Sequence, residues 1–122
     1  MQLLIHGSSY SPSVIFDLEK KLLRIDGISS MPDSRQFYQN LMDWLIAHRA
    51  HISPGSRLFI RLIYLNSGSH KALFNFFSTL AAHKMPIFVT FILSKQMDNS
   101  EEVELLVQMC KQVGVNCEVQ SE

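Results

Sequence analysis

Residues Arg57–Thr79, read as RLFIRLIYLNSGSHKALFNFFST, hold this chain to very few architectures. Leu58–Leu65 is almost wholly apolar and rich in β-branched and aromatic residues. Such a run suits a strand covered on both faces, and Arg61 inside it marks a strand end or a partly open face. The small polar turn Asn66-Ser67-Gly68-Ser69 follows. Leu73, Phe76, Phe77 and Leu80 then recur at helical spacing. A second buried-strand run, Ile87–Leu93, comes next. Strand, helix, strand in that order predicts a right-handed crossover and parallel pairing.

The flanking segments extend the pattern. Leu3–Ile5 reads as a short edge strand. Val14–Asp17 and Leu22–Asp26 flank the charged turn Leu18–Lys21 and predict an antiparallel hairpin. Asp33 and Gln36 have capping-box spacing. Phe37, Leu41, Trp44, Leu45 and His48 then trace one helical face, with Trp44 expected against the sheet. Asp98 and Glu101 repeat the cap spacing, and Val103, Leu106, Val107 and Cys110 form a third stripe. Gly114 stops that helix, and Val115–Val119 is a last strand. The order is β-β-β-α-β-α-β-α-β: an α/β fold with a mixed sheet and an N-terminal hairpin. Periodicity leaves open whether the helices share one face.

The chain of 122 residues reads as one domain over 1–122, with 47% apolar and 18% charged residues. A formal net charge of zero, from 11 basic and 11 acidic residues, argues against a nucleic-acid surface. The cluster Lys20, Lys21 and Arg24 is interrupted by Asp17, Glu19 and Asp26, as in a solvated hairpin. The N-terminal MQLLIHGSSY lacks a charged leader region and a long apolar run, and no stretch approaches membrane-spanning length. Cys110 and Cys117 lack metal-ligand spacing and read as reduced thiols of a cytoplasmic protein.

Reactive groups are few. Ser67 and Ser69 stand where a helix begins, and there the macrodipole and free N–H groups favour negative charge. They read either as a phosphorylation or anion site, or as a plain helix cap. Gly68 between them fits close approach of another group to the backbone. His70 is three residues beyond Ser67, but no acid is placed to orient it as a base. His48 and His51 share a helix end without a third metal ligand. Phe74 lies off its helix's main stripe and is a candidate to face a partner. The acids Asp98, Glu101, Glu102 and Glu104 read as a capped, solvated helix start. No phosphate loop, dinucleotide fingerprint or nucleophile elbow is present. The residues point to no catalytic group, no metal and no cofactor.

The segments SPSVIFDLEKKLLRIDGIS, MPDSRQFYQNLMDWL and LIYLNSGSHKAL together resemble the SiaC family of bacterial regulatory phosphoproteins. The match runs in order and spacing over roughly residues 8–80. Gly68 stands where the family usually has serine, and Asp33 where glutamate is usual. TFILSKQMDNSEE lacks the aromatic, strongly acidic stretch associated with the family.

The resemblance implies a fold similar to STAS domains, the anti-sigma-factor-antagonist type. It also implies a non-enzymatic switch in cyclic di-GMP signalling and biofilm control. The unphosphorylated form would bind and activate a diguanylate cyclase. A dedicated Ser/Thr kinase would turn it off, and a PP2C-type phosphatase would restore it. Carried over by position, the phosphoacceptor is Ser67, flanked by Asn66, Gly68, Ser69 and His70 at the partner surface. The alternative is a small phosphometabolite-binding domain or enzyme that uses the same turn as an anion site.

Overall fold

The computed structural model describes all of residues 1–122. Six strands form one sheet in sequential order, β1 (Gln2–Ile5), β2 (Ser13–Asp17), β3 (Leu22–Ser29), β4 (Ser56–Leu65), β5 (Ile87–Leu93) and β6 (Cys117–Ser121). The first three pair antiparallel, and the β3–β4, β4–β5 and β5–β6 pairs are parallel. Helices α1 (Ser34–Ala47), α2 (Ser67–Ala82) and α3 (Ser100–Val113) make the three crossovers. The element order is the expected one. The last strand starts two residues later than its apolar pattern suggests, because Val115 and Asn116 complete the turn after α3.

The strand order settles what periodicity left open. Three right-handed crossovers that step the same way along a sheet put all three helices on one face. Burial agrees. In β4, Leu58, Ile60 and Leu62 are buried under the helices, whereas Phe59, Arg61 and Ile63 are half-exposed. The expectation that β4 is covered on both faces is therefore corrected. Its apolar run hides a period of two that only Arg61 betrays. Arg61 lies on the open face, with Nη1 donating to Asp26 Oδ1 at 2.7 Å and Nε 3.2 Å from Glu122 Oε2. β5, an interior strand beside the edge strand β6 rather than a central one, is covered better, and Thr90 and Ile92 on its open side are buried.

The core lies between sheet and helix layer, where Phe16, Phe77 and Phe91 are fully buried. Phe77 meets Phe91 edge-on, with ring centroids 6.0 Å apart. On α1 the buried stripe is Ser34, Tyr38, Leu41, Met42 and Leu45. That is a slight rotation from the expected one. Trp44 is only half-buried, 6.0 Å from Phe16 and 4.3 Å from His48 between ring centroids. The reason is position: α1 ends the helix layer, so one flank of it meets no neighbour.

Two cap expectations change in detail. Asp33 Oδ1 accepts from the Gln36 amide at 3.2 Å, as expected of an N-cap. The Gln36 side chain does not reach back, and donates instead to Asn40 Oδ1 at 2.7 Å. At α3 the cap residue is Asn99 rather than Asp98. Asp98 accepts from both the amide and the hydroxyl of Ser100, and these bonds hold its carboxyl below the usual range. Gly114 ends α3 in the left-handed conformation, φ 82°.

Candidate functional site

β4 delivers the chain to the turn at Asn66, and α2 begins one residue later. Asn66 is the N-cap: its Oδ1 accepts from the Ser69 amide at 2.8 Å. Its Nδ2 donates to the Met31 carbonyl at 3.1 Å and ties the cap to the loop before α1. Neither serine is the cap, so the plain structural reading of both is displaced by Asn66.

The two serines have opposite environments. Ser67, the first helical residue, is exposed and its hydroxyl makes no hydrogen bond within the chain. Ser69 is fully buried. Its Oγ donates to the Ser29 carbonyl at 2.9 Å and accepts from Ser29 Oγ at 2.7 Å. The Ser29 proton is thereby committed, so Tyr38 Oη donates to Ser29 Oγ, also at 2.7 Å. Three hydroxyls, from α1, β3 and α2, form one directed chain. Burial pushes the Tyr38 hydroxyl's pKa up. Ser69 therefore belongs to the scaffold beneath the turn, and Ser67 stands on top of it.

Gly68 is exposed beside Ser67 and close to α1: a Cβ there would stand 2.7 Å from Ser34 Oγ. The close approach expected of this glycine is thus to the chain's own α1. Half-buried His70 follows on the same turn. Ser67, Gly68, His70 and Lys71 share a shallow, open depression of about 670 Å³, floored by Phe74 and Met109. An enclosed ligand site with converging polar groups has a different form.

The other candidates do not assemble. His48 Nδ1 lies 2.8 Å from the Trp44 carbonyl, and His51 sits exposed in a following 3-10 turn. No three metal-binding side chains cluster anywhere. Cys110 and Cys117 are both free thiols, and burial pushes both pKa values up. No helix is long and apolar enough to cross a membrane. The sequence reading missed Asn99, which is 1% exposed. Its Nδ2 donates to the Leu62 and Ile92 carbonyls and its Oδ1 accepts from the Ser94 amide, so it pins the ends of β4 and β5 together.

Comparison with known proteins agrees with this frame. SiaC of Pseudomonas aeruginosa superposes with a TM-score of 0.81 at 22% identity, over 100% of this chain and 99% of that one. The apo-SiaC crystal structure from that organism gives 0.76 at 22% identity, over 98% of each chain. A chain in the crystal structure of its diguanylate cyclase SiaD in complex with the activator SiaC gives 0.81 at 24% identity, over 98% of this chain and 99% of that one. At such identities the likeness establishes the fold. Among curated proteins none matches by sequence. The model of the SiaC family regulatory phosphoproteins matches residues 5–119, nearly the whole length, and the chain belongs to that family.

Proposed function

We propose that this chain is a non-catalytic signalling switch, acting as a single domain over residues 1–122 in the bacterial cytoplasm. Unphosphorylated, it binds and activates a diguanylate cyclase; phosphorylation of Ser67 turns it off. The observation that carries this reading is the contrast at the turn: Ser67 is exposed with a free hydroxyl, whereas Ser69 is buried and fully bonded. A kinase can reach only the first without unfolding the helix start. Phosphoryl transfer from a nucleoside triphosphate forms the Ser67 Oγ–P bond, breaks the bond to the diphosphate leaving group and releases the hydroxyl proton. A PP2C-type phosphatase returns the serine by hydrolysis. Asn66, Gly68 and His70 shape the surface around it, while Ser69, expected at that surface, is buried and supports the turn from beneath. The added charge of about −2 alters what can dock there without refolding the domain.

The test pairs the protein with the diguanylate cyclase and the kinase encoded nearest to it in its genome. Cyclic di-GMP synthesis should rise with the unphosphorylated protein and fall back after kinase treatment. Phosphopeptide mapping should find one phosphate, on Ser67, and Ser67→Ala should abolish it while still activating. A cyclase rate indifferent to the protein, with no phosphate on Ser67, would overturn the reading. Binding of inorganic phosphate or small phosphate esters at the turn would then favour the phosphometabolite alternative.

A further inference from the structure

The α2–α3 face next to Ser67 combines a cation without a counter-ion and an open apolar surface. Lys71 is exposed and no carboxylate lies within ion-pair distance of it. Phe74, one turn further along, is half-exposed and stands outside the hydrophobic core. Met109 of α3, also half-exposed, completes the floor of the depression. No acidic residue lines it. A cation without a counter-ion beside an open apolar floor is complementary to an apolar side chain that has a carboxylate next to it.

We propose that this face takes an apolar side chain flanked by a carboxylate from the partner protein, with Lys71 as its cation, and that phospho-Ser67 recaptures Lys71. This rests on the switch reading of Ser67. Ser67 and Lys71 are four residues apart in α2, the spacing at which helical side chains meet. A phosphate on Ser67 competes directly for the ammonium that the partner's carboxylate uses. It also places a like charge beside that carboxylate. One modification removes an attraction and adds a repulsion, and the partner's apolar anchor loses its orientation.

Two measurements test this. Binding of the nearest-encoded cyclase is measured by calorimetry for wild type, Lys71→Glu, Phe74→Ala and, as a charge-matched control on the distant β2–β3 turn, Lys20→Glu. Lys71→Glu and Phe74→Ala should each weaken binding by about tenfold or more, while Lys20→Glu stays within about twofold. Wild-type affinity in both Lys71→Glu and Phe74→Ala would overturn the docking face. Separately, phosphoserine is placed at position 67 by genetic encoding and its phosphate is titrated by phosphorus NMR. The midpoint should lie lower with Lys71 than in Lys71→Gln, because the ammonium favours the dianion. Equal midpoints would overturn the recapture. If wild type itself fails to bind the cyclase, the switch reading and the docking face fall together, and the titration still decides whether Lys71 pairs with the phosphate.

Discussion

The Ser69 hydroxyl of α2 lies 2.7 Å from Ser29 Oγ on β3, and through it from Tyr38 on α1, with no water-accessible surface on either serine. Three elements are joined by one chain of protons. Tyr38 donates into the chain and each serine hydroxyl both accepts and donates, so deleting one leaves a neighbour unsatisfied in a low-dielectric site. Ser69→Ala should lower unfolding stability by about 1–3 kcal/mol, the cost of stranding a buried hydroxyl partner. Ser67→Ala should stay within about 0.5 kcal/mol, as expected of an exposed, unbonded side chain. Urea denaturation reads both. Equal effects at the two serines would contradict the assignment of scaffold and switch.

Asn66 carries the cap that either serine was a candidate to supply. Asn66→Ala removes the bond to the Ser69 amide and the bond to the Met31 carbonyl. It should cost about 1–2 kcal/mol. Asn66→Asp keeps an oxygen for the Ser69 amide and loses only the donor to Met31, so it should fall between wild type and Ala. Thermal unfolding of the three proteins gives the order. An Asp variant as damaged as Ala would mean that the Met31 bond, not the cap, dominates.

The turn was legible because its signal is local: an apolar run, a polar tetrapeptide and a helical stripe. Which serine is exposed was also encoded, in a subtler way. Ser69 stands four residues before Leu73 and seven before Phe76, so it extends the buried stripe; Ser67 does not. Tyr38 stands three residues before Leu41 and seven before Leu45, and so joins its helix's buried stripe as well. Asn99 could not be found this way. Its partners are carbonyls on two other strands, and no spacing along the chain records them. The open face of β4 was masked for a related reason. Phe59 and Ile63 are as apolar as the core residues beside them, and crossover direction, not composition, decides which side the helices cover.

Acid should unfold the protein through particular carboxylates. Asp17 is held below the usual range, first by the Gln2 side chain, with Nε2 2.9 Å from Oδ2, and then by the Lys20 amide. Glu122 is held low by the Lys95 amide and by Arg61. A carboxyl with a folded pKa below its unfolded one contributes stability that is complete above the unfolded value. That contribution is lost as pH falls through the folded value. Stability should therefore decline from about pH 4 downward. Asp17→Asn and Glu122→Gln should each make that decline shallower while costing stability near neutral pH. An unchanged acid slope in both variants would place the titrating groups elsewhere.

Gly68 and Ser34 offer a test in which the sign of one mutation depends on the other. Gly68 lies in the first turn of α2, where exchange for alanine should stabilise the helix by about 0.5–1 kcal/mol. Here a Cβ would stand 2.7 Å from Ser34 Oγ, and Ser34 is itself buried. Crowding of that kind costs about 1–3 kcal/mol and outweighs the helical gain. Gly68→Ala should therefore destabilise the wild-type protein. Once Ser34→Ala removes the hydroxyl, the nearest atoms to the new Cβ are Asn66 Oδ1 at 3.8 Å and Ser34 Cβ at 4.0 Å, both ordinary contacts. In that background the same Gly68→Ala exchange should stabilise. The difference between the two backgrounds is the coupling energy, and a double-mutant cycle on denaturation midpoints measures it. A Gly68→Ala effect of one sign and size in both backgrounds would mean that Ser34 yields freely, and that some other contact selects glycine beside Ser67.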